Sequence, residues 1–461
     1  MSKSEINMTE GRLLPKIILF SLPLMASGAL QLLYNAADLV VVGRYAMING
    51  VSAGKECLAA VGATGALINL IVNIFIGLSV GTAVVVARYI GANDANGAQR
   101  ATHTSIAVAI ISGIVVGLFG FFASREILIW MDTPDNVLDM ATVYMKIYFI
   151  GAPANMLYNF GSAVMRAYGD TKKPLYFLTI SGLTNILLNL FFVIVCGMNV
   201  DGVAMATISS QVVSAVLVIL CLMKNSGPCK LEIKKISIHV NELKQIAIIG
   251  LPAGIQSSLF SISNVIIQSS INSFGDVVMS GNTAGGNIEG FINIIENAFY
   301  QAALTFTGQN YGAKKYKRTK NVFWICAALT AVTSLVMSVG VYIFAEPLLK
   351  IYLPNEPDAI KYGVIRTAFI VLPHLIFGLQ NTFVGQLRGL GYSMATMIIS
   401  IFGICVFRIF WIYTVFRQVG TLECLYLSYP ISWVISLLAM AICYIIVSRR
   451  LPKDAEEVRI S

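Results

Sequence analysis

The sequence predicts an all-α membrane protein of twelve transmembrane helices, arranged as two pseudo-symmetric six-helix bundles. Three observations carry that prediction. The 461 residues are 57% hydrophobic and only 12% charged, against roughly 25% charged in a soluble domain. Apolar stretches long enough to cross about 30 Å of hydrocarbon recur from end to end. The chain also repeats itself. Phe20-Ser21-Leu22-Pro23 returns as Ile249-Gly250-Leu251-Pro252, and Tyr89-Ile90-Gly91-Ala92 returns as Asn310-Tyr311-Gly312-Ala313. Met165-Arg166-Ala167-Tyr168-Gly169 returns as Leu387-Arg388-Gly389-Leu390-Gly391, in the same order and at nearly constant spacing.

The spans fall near 17–43, 57–87, 101–123, 137–160, 175–197 and 202–223 in the first copy, and near 243–271, 277–308, 320–345, 360–385, 393–416 and 422–448 in the second. All read as helices, because lipid offers an exposed backbone no hydrogen-bond partner. The runs are also far longer than the ten-residue alternating strands of a barrel. The expected organisation is a bundle over 1–224, a linker over 225–242 and a bundle over 243–461. With an even number of spans per copy both copies start on the same side, so the repeats are parallel and face each other across a cleft. The first copy is longer between Pro23 and Gly91 than the second between Pro252 and Gly312; the surplus is assigned to an outer loop around 44–57. The linker carries Lys230, Lys234 and Lys235 and reads as a charged tether, with a short amphipathic helix over 231–238 as the weaker reading. Pro23, Pro153, Pro252 and Pro373 lie inside spans and are expected to kink or loosen them.

The net charge of +9 does not point to nucleic acid. Most of the 32 basic residues sit in loops on one side of the membrane, including the linker and the run Lys314–Lys320. The positive-inside rule then places both termini and the linker in the cytoplasm, with the chain multi-pass in the inner (plasma) membrane. The first sixteen residues are mixed in charge and lead straight into the polytopic pattern, so no cleaved signal peptide is expected. Eight cysteines are scattered, without a CxxC and away from the three histidines. They read as small apolar groups, with no metal site and no cofactor beyond a coupling ion. No G-x-S-x-G nucleophile motif and no soluble domain suggest an enzyme.

Acids inside a membrane cost about 2.5–3.5 kcal/mol on insertion scales, so each needs a reason. Of 23 acidic residues only Asp38, Glu289 and Glu296 fall deep within spans. Asp38 lies toward the outer end of the first span. Tyr144 of the fourth, Asn185 and Asn189 of the fifth and Thr207 of the sixth reach a similar layer. The i, i+4 spacing puts both asparagines on one helix face. Desolvation favours a neutral carboxyl, so an acid at this depth can take up and release a proton; the same oxygens suit Na⁺. The competing reading is an interhelical hydrogen-bond cluster that only holds the bundle together.

Glu289 and Glu296 are seven residues apart and share a face of the eighth span. They read either as cleft acids that attract cationic substrates, or as buried partners of Arg366 or Arg408. Arg408 aligns with the Asn185–Asn189 position of the first copy and is assigned to the substrate cleft or to a structural pair. Asp38 aligns near Ile267, so the second copy is expected to lack an equivalent ion site. His374, next to Pro373, reads as structural. A duplicated six-span unit is characteristic of secondary transporters, whose substrate path lies between the copies.

At this point the residues resemble a family. The repeated Leu-Pro, Tyr34-Asn35-Ala36-Ala37-Asp38, Val86-Ala87-Arg88-Tyr89-Ile90-Gly91-Ala92 and Gly308-Gln309-Asn310-Tyr311-Gly312-Ala313 resemble the multidrug and toxic compound extrusion (MATE) transporters. Arg166-Ala167-Tyr168-Gly169-Asp170 and Gly202-Val203-Ala204-Met205-Ala206-Thr207 fit as well. The similarity covers essentially the whole chain. It implies a V-shaped pair of bundles that exports cationic, amphipathic small molecules in exchange for H⁺ or Na⁺. Within the family the chain looks DinF-like, which maps a cation site onto Asp38, Tyr144, Asn185, Asn189 and Thr207. Tyr34 is assigned to the substrate cleft. One departure matters: the position of Asn189 is an aspartate in well-studied members. The acids that a NorM-type branch carries in the seventh and tenth spans are also missing.

A site with one carboxylate is neutralised by one H⁺ or one Na⁺. One coupling ion per cycle is therefore expected, and exchange for a monovalent cation moves no net charge. A monomer is expected. A flippase for lipid-linked sugars is the alternative from the same superfamily. It wants a cleft rich in basic groups for pyrophosphate, whereas the intramembrane basics here are few (Lys146, Arg366, Arg408).

Overall fold

A computed structural model of the chain describes residues 5–45, 47–48, 51–52, 54–131 and 133–452. The terminal residues 1–4 and 453–461, and part of the outer loop around 44–57, lie outside the described residues. Helix α1 (Leu13–Tyr45) is followed by a two-residue hairpin, β1 (Met47–Ile48) antiparallel to β2 (Val51–Ser52). Then come α2 (Gly54–Gly91), α3 (Ala95–Trp130), α4 (Asp135–Ile150), α5 (Ala152–Ala167), α6 (Lys172–Leu190) and α7 (Val200–Lys224). After the linker follow α8 (Val240–Asn272), α9 (Asp276–Gly312), α10 (Tyr316–Ile343), α11 (Ala345–Tyr352), α12 (Pro357–Arg366) and α13 (His374–Gly389). The chain closes with α14 (Ser393–Ser400), α15 (Phe407–Trp411), α16 (Arg417–Val419) and α17 (Leu422–Arg449).

The fold is the all-α twelve-span architecture, and the breaks in it have local causes. Nine helices are long and apolar enough to cross a bilayer among the described residues, ten when Pro357–Val371 and His374–Gly389 count as one span bent by 43°. That bend sits at Pro373, which removes a backbone donor, behind a π-helical turn at Thr367–Val371. The fourth span is likewise two helices, α4 and α5, parted at Gly151 with Pro153 in the first turn of α5. The eighth, α9, is less apolar because it carries Asn282, Asn287, Glu289, Asn293, Glu296 and Asn297. π-helical turns at Ile401–Val406 and Ile412–Phe416 divide the eleventh span into α14, α15 and α16.

The repeated motifs turn out to be helix ends. Gly169 N bonds Arg166 O and Asp170 N bonds Met165 O; in the second copy Gly391 N bonds Arg388 O and Tyr392 N bonds Leu387 O. The two glycines hold φ +95° and +92°, the left-handed cap that a Schellman end requires and a Cβ disfavours. Asn93 and Lys314, at φ 56° and 57°, end α2 and α9 in the same way. The repeat therefore preserves scaffold turns.

Packing divides the described chain into two compact units. One holds 26–254 with the residues before Asn7, the other Asn7–Met25 with 255 onward. Each division falls inside a helix just past the repeated proline, Pro23 in α1 and Pro252 in α8. The first part of α8 thus packs in the first unit, where a Cβ at Gly77 or Gly81 of α2 would overlap the backbone of Ile246–Gly254. Gly77 and Gly81, like Gly250 and Gly254, are a small-xxx-small pair that lets two helix backbones touch. In the second unit the segment before α1 is clamped through its carbonyls. Asn310 donates to Met8 O at 3.2 Å, Lys315 to Thr9 O at 3.1 Å and Arg318 to Glu10 O at 2.8 Å. Part of the basic run at 314–320 therefore anchors backbone.

The linker is a docked strap rather than a tether. Glu232 N donates to His103 Nε2 at 3.0 Å, and His239 N donates to Thr104 Oγ1 at 3.1 Å. Arg100 pairs with Glu242 at 2.8 Å, and Cys229 and Leu231 are buried. In place of an amphipathic helix it has one 3₁₀ turn at Ile233–Lys235. The backbone donors that a free loop would leave to water are satisfied by the polar face of α3.

Candidate functional site

Asp38, Asn185 and Asn189 come together in the first unit. The α6 face predicted from the i, i+4 spacing is the buried one. Asn189 Nδ2 donates to Asp38 Oδ1 at 2.5 Å and lies 3.3 Å from Asn185 Oδ1. Asn189 Oδ1 is buried and has no hydrogen-bond partner among the described residues. The cluster thus presents a carboxylate and an unused amide oxygen side by side, acceptors that a proton or a hard cation can satisfy.

The other residues assigned to this site are differently engaged. Thr207 Oγ1 donates to Val203 O of its own helix at 2.9 Å. Tyr144 is buried and stacks on Tyr148, ring centroids 6.4 Å apart. Neither makes a hydrogen bond to Asp38 among the described residues. Tyr34 packs its ring where a Cβ on Gly182 would stand, and its hydroxyl lies 3.5 Å from Thr179 O. Its ring thus packs between α1 and α6.

The second copy carries a different polar cluster, built on Glu289 and Glu296. Arg366, from the end of α12, donates through Nη2 to Glu289 Oε2 and through Nη1 to Asn282 Oδ1 at 2.6 Å. Tyr426 OH also reaches Asn282 Oδ1, at 3.1 Å. His374 stands between the two glutamates of α9. Its Nδ1 is 2.9 Å from Glu296 Oε1 and its Nε2 is 3.4 Å from Glu289 Oε1. Ser334 donates to Glu296 Oε1 at 2.8 Å. Glu296 is thus fully enclosed, while Glu289 reaches a cavity.

That cavity, about 170 Å³, is lined by Glu289 together with Phe260, Ser263, Asn264, Asn293, Phe377, Ile404, Arg408, Tyr429 and Trp433. Arg408 donates through Nε to Ser432 Oγ at 2.9 Å and lays its guanidinium 4.0 Å from the Tyr429 ring centroid. Sequence reasoning named Glu289, Glu296 and Arg408, with Arg366 as a candidate partner of the acids, but missed the histidine bridge. An intramembrane His on a span other than that of the acids was the available signal.

The MatE family model matches residues 23–191 and 252–414, once in each copy. The chain is 27% identical over 406 residues to the probable multidrug resistance protein YpnP of Bacillus subtilis (strain 168), covering 87% of this chain and 88% of the relative. It is 25% identical over 407 residues to the probable multidrug resistance protein NorM of Thermotoga maritima, covering 86% and 84%. A solved structure described as the outward-facing conformation of a multidrug resistance MATE family transporter of the MOP superfamily superposes with a TM-score of 0.89 at 21% identity, covering 98% of this chain and 99% of that one. With helices of membrane-crossing length and the family match in both halves, the chain belongs to the multidrug and toxic compound extrusion (MATE) family of transporters and is not an enzyme.

Proposed function

We propose that the chain is a DinF-like plasma-membrane antiporter. It exports cationic or amphipathic small molecules in exchange for one H⁺ or one Na⁺ per cycle, with Asp38 as the carboxylate that binds the ion. The observation that carries this reading is the part-buried Asp38–Asn189 contact with a buried, unpartnered Asn189 oxygen beside it. A buried acceptor without a donor is costly in an apolar setting, and ion uptake relieves that cost. Release of the ion restores it, so the two states of the site differ in free energy in the way that coupling requires. Asn185 helps to hold Asn189 in place, while Tyr144 and Thr207 shape the surrounding wall. The names of the relatives support small-molecule cargo, and the basic loops support cytoplasmic termini. The test is dye efflux in a drug-sensitive host, wild type against Asp38→Asn, with membrane expression matched. Efflux should collapse in the variant. Robust efflux by Asp38→Asn would remove Asp38 as the coupling group.

A further inference from the structure

The cavity in the second unit holds more donors than partners. Arg408 is 4% exposed. Among the described residues its one hydrogen bond runs through Nε to Ser432, and it joins no ion pair, so its two terminal nitrogens are unengaged. Ser263 and Trp433, each 2% exposed, line the same space. Ser263 Oγ and Trp433 Nε1 are buried without hydrogen-bond partners among the described residues. Buried donors left unmet cost about 1–3 kcal/mol each. A cavity edged by two of them, beside the unbonded terminal nitrogens of Arg408, is built for an acceptor.

Charge makes the same choice. Glu289, the acid in the lining, is already bonded by Arg366 and faced by His374. Arg366 is therefore the partner of Glu289, and Arg408 has no carboxylate within ion-pair distance among the described residues. The aromatic walls do not offer a slot for a cation. The faces of Tyr429 and Trp433 are covered by the Arg408 guanidinium, at 4.0 and 5.8 Å from their centroids. A second cation there would meet like charge in a medium of low dielectric.

We infer that this cavity is a binding site for a planar aromatic monocarboxylate. The carboxylate lies against the two terminal nitrogens of Arg408, a fork matched to two oxygens, with Ser263 and Trp433 as further donors. The ring lies among Phe260, Phe377 and Ile404. A volume of about 170 Å³ suits one small ring with its carboxylate. The site uses no residue of the Asp38 cluster, so it stands or falls apart from the antiport reading.

The test uses the full-length protein in nanodiscs and radiolabelled benzoate in a scintillation proximity assay. Benzoate should bind saturably. Unlabelled benzoate should compete, whereas benzamide and benzylamine, of the same shape without the negative charge, should compete at least about tenfold more weakly. Arg408→Gln should lose binding and Arg408→Lys should recover part of it. The competition series on the unaltered protein decides the matter even if a variant fails to fold. No saturable binding, or equal competition by benzylamine, would overturn the assignment.

Discussion

Asn189 of α6 donates its amide to the carboxylate of Asp38 in α1, at 2.5 Å, and keeps its own oxygen unpartnered and buried. This relation ties the acid that an apolar helix would otherwise exclude to a neighbour that orients it. Asn189→Leu removes the donor from Asp38. A hydrogen bond to a charged group is worth about 1.5–3 kcal/mol, so efflux should fall by about tenfold or more. Asn189→Asp adds a second carboxylate at the same place. It should keep transport but make exchange of a monovalent substrate sensitive to membrane potential, since the site then holds a second charge. Efflux rates and potential dependence of the two variants, measured side by side, check this.

Glu289 and Arg366 are a buried pair. Removing one partner of such a pair leaves an uncompensated charge and costs about 3–5 kcal/mol, whereas replacing both with apolar groups is often neutral. Glu289→Gln should therefore lower the thermal unfolding temperature in detergent markedly. Glu289→Leu combined with Arg366→Met should recover most of it. Equal destabilisation by the single and the double change would contradict the pairing account.

The backbone contact between α2 and α8 rests on Gly77, Gly81, Gly250 and Gly254. A side chain at these positions has nowhere to go, and overpacking of this kind costs about 1–3 kcal/mol or more. Gly81→Val should reduce the yield of folded protein and its unfolding temperature, while Gly62→Val, where a Cβ meets open space, should not.

Cys196 is exposed and Cys229 is buried in the docked strap. Burial pushes the Cys229 thiol up to about 12, so at pH 8 it stays protonated, and the thiolate is the reactive form. A membrane-impermeant maleimide applied to intact cells should label Cys196 from outside and leave Cys229 untouched until the protein is denatured. Labelling of Cys196 only after permeabilisation would reverse the orientation that the basic loops assign.

Much of the fold was legible because hydrophobic length and repetition are read from one dimension. The spans, the prolines that part them and the helix-end motifs at Gly169 and Gly391 all report local physics. The Asn185–Asn189 face was legible for the same reason: it is a period. What could not be read are relations between distant segments. His374 bridging Glu289 and Glu296, and the choice of Arg366 over Arg408 as the partner of Glu289, depend on which helices pack together. So does the passage of α8 into the first unit, although Gly77-x-x-x-Gly81 and Gly250-x-x-x-Gly254 carried its signal in plain sight. The linker misled for a related reason: its lysines look solvated, and the backbone bonds that dock it leave no trace in the sequence.

The central claim is a single coupling carboxylate, Asp38. Its most direct test is transport of a monovalent cationic dye by the reconstituted protein in liposomes, with the ion gradient and the membrane potential imposed separately. A potential of 100 mV is worth about 2.3 kcal/mol for each charge moved, so net charge movement is readily seen. The account predicts uptake driven by the H⁺ or Na⁺ gradient alone and none driven by potential alone. Dye uptake under potential alone would contradict it.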